Sequence, residues 1–248
     1  MNIQAAKIMS KVILAEKTIK IKLLGDSITH GVGGTGFEQN GEHILSDHIW
    51  NREFARNKDG YCWAKLFKDY MEEQYDCTVT NNACTGTRIE FIIEYFDKLV
   101  DADDDIVICT IGTNNRHQSF STGPKKSVRE HKEIFYRDII KLNNMFKEAG
   151  IDVIFVANIP APAANEKDGA DFWRIIHMND INDIYTKAAI ECGFPFISMY
   201  QRFLEYCDLK EITVDSLIAD GLHPNDEGYE VMFKLLMNEL GLARKVWA

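Results

Sequence analysis

The sequence predicts an α/β fold in which helices cover both faces of a parallel sheet. Apolar segments typical of strands alternate with segments typical of helices along the 248 residues, and such an alternation builds βαβ units. Two of the strand segments, residues 106–109 and 153–156, are continuously apolar, as strands buried on both faces are. No internal repeat or low-complexity tract interrupts the pattern, so we expect one domain spanning residues 1–248.

The individual elements follow from the same apolar periodicity. The predicted strands are residues 19–24, 78–81, 105–111, 151–159 and 195–199. The predicted helices are residues 61–74, 88–100, 127–149, 171–192 and 226–240. Residues 30–60 and 160–169 fit neither pattern and are expected to be loops. Long loops that follow the carboxyl ends of parallel strands lie where ligands bind.

Composition excludes several classes of function. There are 38 acidic residues and 28 basic ones, a formal net charge of −10, which argues against a nucleic-acid partner. The six cysteines are scattered without a CxxC pair or clustered histidines, so neither a zinc site nor a disulfide framework is predicted. No segment resembles a signal-peptide core or a membrane span. We therefore expect a soluble cytoplasmic protein.

The first strand is followed by Gly25, Asp26 and Ser27. A serine at the carboxyl end of a buried strand lies at the sheet edge where ligands bind, and it can serve there as a nucleophile. It can equally well be the N-cap of a following helix, a common role for serine. This segment alone leaves both interpretations open.

A second segment with chemical potential precedes the last predicted helix, where Asp220 lies three residues before His223. A serine hydroxyl needs a base to remove its proton, and the imidazole needs an acid that fixes its tautomer. Taken alone, the segment is equally consistent with a turn that Asp220 caps and that leaves His223 exposed. Ser27 makes a Ser27–His223–Asp220 triad the better interpretation.

Two further turns supply candidate donors to an oxyanion. Residues 81–87 follow the second predicted strand and include a glycine, whose backbone N–H can approach a ligand closely. Residues 112–115 follow the third strand and include Asn114, which offers a side-chain amide. With the N–H of Ser27, these groups are suited to an oxyanion hole. All four segments are predicted at one edge of the sheet.

These four segments resemble, in order, the four sequence blocks of the SGNH (GDSL-type) hydrolases. The resemblance assigns the nucleophile to Ser27, the oxyanion donors to Ser27, Gly86 and Asn114, and the remaining triad members to Asp220 and His223. It also implies a flavodoxin-like, three-layer α/β/α sandwich, in agreement with the predicted elements.

The chain departs from the family pattern at three positions. Ala83 and Thr85 replace the glycine and serine often found in the second block, and Asn115 stands where aspartate often follows the oxyanion asparagine. With asparagine at position 115, the third block resembles that of the acetylhydrolase branch related to platelet-activating-factor acetylhydrolases. These departures leave the chemical residues of every block in place.

Other segments could bind ligands but are given no catalytic role. Residues 31–36 match the G-x-G-x-x-G nucleotide fingerprint, but they are separated from the strand and lead into a polar segment, so a flexible substrate loop is expected instead. His30 and His117 are expected to be loop residues that contact substrate at most. Phe172 and Trp173 either line an acyl or sugar pocket or form the buried face of a helix.

The predicted function is serine-dependent hydrolysis of carboxylic esters. The favoured substrates are short acyl esters, first acetyl, of a sugar or other small alcohol. O-acyl transfer by the same triad is the alternative, because the sequence does not show whether water or a hydroxyl acceptor resolves the acyl-enzyme. A binding module without catalysis is disfavoured because all four blocks are intact. This chemistry requires no metal or organic cofactor.

Overall fold

A five-stranded parallel sheet forms the centre of the structure, a computed structural model that describes residues 1–117, 126–162 and 175–243. Its strands stand in the order β4-β1-β5-β6-β7, with bounds β1 Ile19–Gly25, β4 Cys77–Asn81, β5 Ile106–Thr110, β6 Asp152–Ala157 and β7 Phe196–Ser198. Ile21 of β1 pairs with Val79 on one side and with Ile106 on the other. The strand order therefore reverses at β1, and parallel sheets bind ligands at the carboxyl end of such a reversal.

Helices form the two outer layers. In chain order they are α1 Ile3–Leu14, α2 Ser27–His30, α3 Trp63–Gln74, α4 Ile89–Glu94, α5 Phe96–Leu99, α6 Val128–Ala149, α7 Met178–Cys192, α8 Met199–Lys210 and α9 Asp226–Glu239. Buried residues of α1, α3, α8 and α9 form one apolar cluster with the sheet. Those of α4, α5, α6 and α7 form another on the opposite face. The predicted three-layer α/β/α sandwich is confirmed.

The continuously apolar strands arise because each one serves both clusters. Along β5, Ile106 and Ile108 belong to the cluster of α3 and α9, whereas Val107 and Cys109 belong to that of α4 and α6. Successive side chains of a strand point to opposite faces, so a strand covered on both sides is apolar at every position.

Residues 30–60 contain more structure than the predicted loop. Strands β2 (His43–Asp47) and β3 (Arg52–Ala55) pair as an antiparallel hairpin, so the prediction of an irregular segment is wrong here. Leu45 and Phe54 of the hairpin are 2% exposed and join the cluster of α4 and α5. Each strand buries so few side chains that polar residues mask its periodicity in the sequence.

Two helix predictions also need correction, and two helices were missed. Helix α1 and helix α8 were not predicted. The predicted helix 88–100 is divided into α4 and α5 at Tyr95, whose φ and ψ are −103° and 23°. The predicted helix 171–192 begins only at Met178, and residues 171–174 lie outside the described part. In the described ranges, no helix is long and apolar enough to cross a bilayer.

Candidate active site

Ser27 lies at the carboxyl end of β1, where α2 begins. The N-cap of this short helix is Asp26, whose side chain accepts a hydrogen bond from the Ile28 N–H at 3.0 Å. The interpretation of Ser27 as the cap is therefore wrong, because the preceding carboxylate has that role. Ser27 is instead the first residue of the helix, and its hydroxyl contacts another loop.

That loop brings His223 and Asp220 to Ser27. His223 Nε2 lies 2.8 Å from Ser27 Oγ, and His223 Nδ1 lies 2.7 Å from Asp220 Oδ2. The other Asp220 oxygen accepts hydrogen bonds from the N–H groups of Leu222 and His223. Asp220 thus caps its own turn and contacts the imidazole as well, so both sequence interpretations of this aspartate apply together.

Packing and backbone hydrogen bonds fix the loop of His223. Ala219 N–H donates to the His223 carbonyl at 2.8 Å, and Asn225 caps α9 by accepting from the Gly228 N–H. The loop also packs against Gly33, whose φ is +94°. Because this residue has no Cβ, there is room for His223 and Pro224 beside it. The position of His223 therefore depends on a glycine far away in the sequence.

The predicted oxyanion residues lie on neighbouring loops. Gly86 adopts a φ of +73°, a conformation that favours glycine. Asn114 lies in a 3₁₀ turn, Thr113–Arg116, and its amide Nδ2 donates to the Thr87 carbonyl at 2.9 Å. This bond uses one of the two amide protons and leaves the other for a ligand. The structure thus holds the Asn114 side chain beside the loop that carries Gly86.

The same loop is tied to the turn of Ser27. Cys84 N–H donates to the Gly25 carbonyl at 3.1 Å, and Asn81 Nδ2 donates to the Thr29 carbonyl at 2.9 Å. These bonds flank Ser27 on both sides and hold the two loops together.

A buried network below the site was not predicted from the sequence. Asn158, just after β6, donates from Nδ2 to Asp26 Oδ2 at 2.8 Å and to Thr113 Oγ1 at 2.7 Å. All three residues are at most 2% exposed. Asn158 is a polar residue at the carboxyl end of an apolar strand, the same signal that identified the other loops. The network joins the ends of β1, β5 and β6.

The two aspartates near His223 differ in their electrostatics. Partial burial acts to raise the pKa of Asp220, but hydrogen bonds from the backbone and ring of His223 outweigh it and hold the pKa below its ordinary value. Complete burial raises the pKa of Asp26 to about 6, against the hydrogen bonds it accepts from Ile28, Thr113 and Asn158. Asp220 is therefore the stronger acid and remains ionised over a wider pH range.

Comparison with known proteins agrees with this geometry. The model of the GDSL-like lipase/acylhydrolase family matches residues 23–231, most of the chain. The chain belongs to this family. No curated protein matched the sequence. Membership makes the chain a carboxylic ester hydrolase, and it confirms the resemblance that the four sequence blocks indicated.

Several solved structures share the fold of this GDSL-like protein. LAE5, an alpha/beta hydrolase from the metagenome of Lake Arreo, Spain, is 17% identical, with a TM-score of 0.65 over 92% of this chain and 98% of its own. Axe2, an acetylxylan esterase of Geobacillus stearothermophilus, is 18% identical, with a TM-score of 0.63 over 91% and 95%. A protein of Parabacteroides merdae described as a GDSL-like lipase is 19% identical, with a TM-score of 0.63 over 91% and 97%.

Asn115, the departure from the family pattern in the third block, has a structural role here. Its Oδ1 accepts from the Ile89 N–H at 3.0 Å, and its Nδ2 donates to Glu90 at 2.8 Å. The side chain therefore attaches the start of α4 to the loop of Asn114. An aspartate could accept the first of these bonds but could not donate the second.

The glycine-rich segment of the GDSL-like protein packs on the last helix. Thr35 N–H donates to Asp226 Oδ1 at 2.8 Å, and Tyr229 Oη donates to the Val32 carbonyl at 2.6 Å. These bonds attach the loop to the start of α9. A nucleotide fingerprint leads directly into a helix, whereas this segment supports the loop of His223.

The remaining sequence candidates lie in different surroundings. His30 is 1% exposed and ends α2, so its expected place in a loop is wrong. Burial lowers the pKa of its imidazole to about 4, although the nearby Ala55 carbonyl acts the other way. His117 follows the 3₁₀ turn of Asn114. Phe172 and Trp173 lie outside the described residues.

A cavity of about 370 Å³ adjoins the site at Gly86. It lies between the hairpin and α4, and it is lined by Ile49, Trp50, Arg52, Gly86, Arg88, Glu90, Phe91, Glu94 and Tyr95. The cavity could not be predicted from the sequence, because residues 30–60 are predicted as a loop. In residues 1–117, 126–162 and 175–243, no group of three His, Cys, Asp or Glu side chains is placed to hold a metal ion.

Proposed function

We propose that this GDSL-like hydrolase removes short acyl groups, acetyl first, from carbohydrates or other small alcohols, with Ser27, His223 and Asp220 as its triad. One observation carries the proposal: the 2.8 Å contact of Ser27 Oγ with His223 Nε2 continues through a 2.7 Å contact from His223 Nδ1 to Asp220. A hydroxyl, an imidazole and a carboxylate in this order form the arrangement that activates serine.

The reaction begins when Ser27 Oγ attacks the ester carbonyl carbon and His223 Nε2 takes the hydroxyl proton. Asp220 accepts a hydrogen bond from the Nδ1–H group of His223. This bond keeps Nε2 available as the base and stabilises the charged imidazolium. His223 then donates its new proton to the leaving alkoxide. Water attacks the acyl-enzyme by the same route and releases the acid.

The charge that develops on the carbonyl oxygen is stabilised by the N–H groups of Ser27 and Gly86 and by the Asn114 amide. Oriented donors contribute strongly to catalysis because they need no reorganisation when the charge appears. The contact of Asn114 with the Thr87 carbonyl supports this role, because it holds the amide before substrate arrives.

Two observations support a short acyl group on a carbohydrate. Axe2, which shares the fold over most of both chains, is an acetylxylan esterase. The cavity beside Gly86 is lined by rings and by charged groups, and the charged groups can form hydrogen bonds with a polar alcohol.

Labelling of Ser27 with a fluorophosphonate tests the proposal. Wild type should be labelled, and Ser27→Ala should keep its fold but lose labelling and most ester hydrolysis. Ser10→Ala is the matched control, because Ser10 lies on α1 and its hydroxyl donates to the Lys7 carbonyl of the same helix. Unchanged labelling of Ser27→Ala would remove Ser27 from the mechanism.

A panel of p-nitrophenyl esters of increasing acyl length tests the substrate. Acetate should be hydrolysed fastest, and adding a sugar should not divert the acyl group. Transfer of most acyl groups to the sugar would identify an acyltransferase instead.

A further inference from the structure

We propose that the cavity beside Gly86 binds the alcohol part of the substrate and that this alcohol is a neutral carbohydrate, with Trp50 and Arg52 as its main contacts. The inference rests on the proposed function, since it takes the acyl group to be short. It adds a binding site and two specificity-determining residues outside the four sequence blocks.

The size of the cavity argues that it does not serve the acyl group. Its volume of about 370 Å³ lies in the range of roughly 300–1,000 Å³ found for small-molecule sites. The methyl of an acetyl group is similar in size to a water molecule, whose share of liquid volume is about 30 Å³. Because Gly86 lines the cavity and is a proposed oxyanion donor, an ester bound at that glycine can extend one of its two parts into the cavity. With a short acyl group, only the alcohol is large enough.

Apolar side chains form two walls of the cavity. Ile49 and Trp50, at the tip of the hairpin, are 58% and 46% exposed. Phe91 of α4 and Tyr95, which directly follows this helix, form the other wall, with ring centroids 4.7 Å apart. Exposed apolar groups beside a pocket indicate a binding surface. A sugar ring presents C–H groups on its faces, and these pack on an aromatic ring without loss of hydrogen bonds by its hydroxyls.

Arg52 provides oriented hydrogen-bond donors at the end of the cavity nearest Gly86. Its Nη1 lies 3.3 Å from the point that a Cβ on Gly86 would occupy. The guanidinium lies over the Phe54 ring at 4.9 Å from the centroid, and its Nε is 3.8 Å from Asp47 Oδ2. These contacts fix the side chain and leave its terminal nitrogens facing Gly86. Such a fork can donate to neighbouring hydroxyl oxygens of one sugar.

The charges around the cavity favour a neutral occupant. Arg88 lies 3.1 Å from Glu90, so this pair forms a wall whose charges are already matched. Arg52 and Glu94 are the other charged lining residues, and their formal charges also cancel. An anion would meet the two glutamates, and a cation would meet the two arginines. A polyol meets neither penalty and can use both kinds of group as hydrogen-bond partners.

Kinetics on two acetyl esters test the proposal: a monoacetylated methyl glucoside and ethyl acetate, whose alcohol is too small to fill the cavity. For Trp50→Ala and Arg52→Gln, KM for the glucoside should rise about tenfold, the equivalent of one charge-assisted hydrogen bond or one stacking contact. The kcat for this ester and all constants for ethyl acetate should stay within about twofold of wild type, less than a single lost contact.

Ile190→Ala and Arg137→Gln are the matched controls, one apolar and one charged. Ile190 is 79% exposed on α7, and the Arg137 side chain is 65% exposed on α6. Both lie away from the cavity and should leave both esters unaffected. Equal losses of kcat on both esters in Arg52→Gln would overturn the proposal, because Arg52 would then act on the oxyanion or on the fold. The proposal would also be overturned if wild type preferred p-nitrophenyl octanoate to the acetate and Trp50→Ala abolished this preference. The cavity would then hold the acyl chain.

Saturation-transfer NMR with methyl glucoside separates this proposal from the proposed function. Methyl glucoside should bind to Ser27→Ala, and this binding should be lost when Trp50→Ala is added to that variant. Such a result supports the proposal for the cavity even if wild type hydrolyses no ester. If wild type cleaves both esters but no binding of methyl glucoside is detected, the cavity proposal fails and the proposed function stands.

Discussion

The contact between Gly33 and the loop of His223 allows a quantitative test of how strongly activity depends on loop packing. A Cβ on Gly33 would lie 2.6 Å from the Pro224 carbonyl oxygen and 2.9 Å from His223 Cβ, whereas ordinary contact begins near 3.4 Å. Gly33→Ala must therefore push the two loops apart by about 0.5 to 0.8 Å, the shortfall of those distances from ordinary contact.

Neither loop can yield freely: the glycine-rich loop is bonded to α9, and the loop of His223 ends at Asn225, the N-cap of that helix. Tyr229 Oη holds the Val32 carbonyl at 2.6 Å, and Asp226 accepts from the Thr35 N–H at 2.8 Å. A displacement of His223 along its 2.8 Å contact with Ser27 would stretch this contact past the roughly 3.2 Å limit of a catalytic hydrogen bond. A misplacement of about 1 Å costs on the order of 10² in rate, so we expect kcat/KM to fall by about 10- to 100-fold.

The assay is kcat/KM on p-nitrophenyl acetate, with the free energy of unfolding measured in urea on the same samples. Alanine at a φ of +94° is strained and should lower that free energy by about 1–3 kcal/mol. Gly150→Ala is the matched control: its φ is +74° and no atom lies within 4 Å of the added Cβ. It should lose stability and keep its activity. If Gly33→Ala loses only stability, as the control does, the reasoning about His223 is refuted.

Three further substitutions address the remaining groups of the site. Asn114→Ala should lower kcat on the order of 10²–10³-fold with little change in KM, since one oxyanion donor is lost; full turnover in steady-state assays would make Asn114 structural. Asp220→Asn places an amide donor against His223 Nδ1 and so favours the tautomer with a proton on Nε2. We expect a loss on the order of 10⁴-fold in kcat/KM, and an unchanged rate would exclude Asp220. Asp26→Asn concerns stability: burial raises the pKa of Asp26 from 3.8 to about 6, so the folded state holds this proton more tightly than the unfolded state does. The stabilisation is complete below the unfolded pKa and is lost as pH rises through about 6, a difference of about 3 kcal/mol that the variant should lack. Urea unfolding of both proteins between these limits measures it, and parallel curves would contradict it.

The sequence by itself determined the sheet, most of its flanking helices and the four loops at its carboxyl edge, although it missed α1 and α8. Continuous apolar runs such as residues 106–109 can be buried on both faces only in a covered parallel sheet. Polar groups placed directly after such strands must then meet at one edge. For this reason Ser27, His223 and Asp220 could be proposed together although 196 residues separate Ser27 from His223.

Other features were decided only by the tertiary structure, because they depend on contacts between segments whose sequences share no apolar pattern. The hairpin of Leu45 and Phe54 buries too few side chains to show a strand period, so its cavity with α4 could not be predicted. The role of Asp26 as the helix cap, and its link to Asn158, depend on distances between strand ends. Gly33 matters because the His223 loop packs against its backbone. Hydrophobic periodicity records which face of an element is buried, but it carries no information about which loop will lie against which.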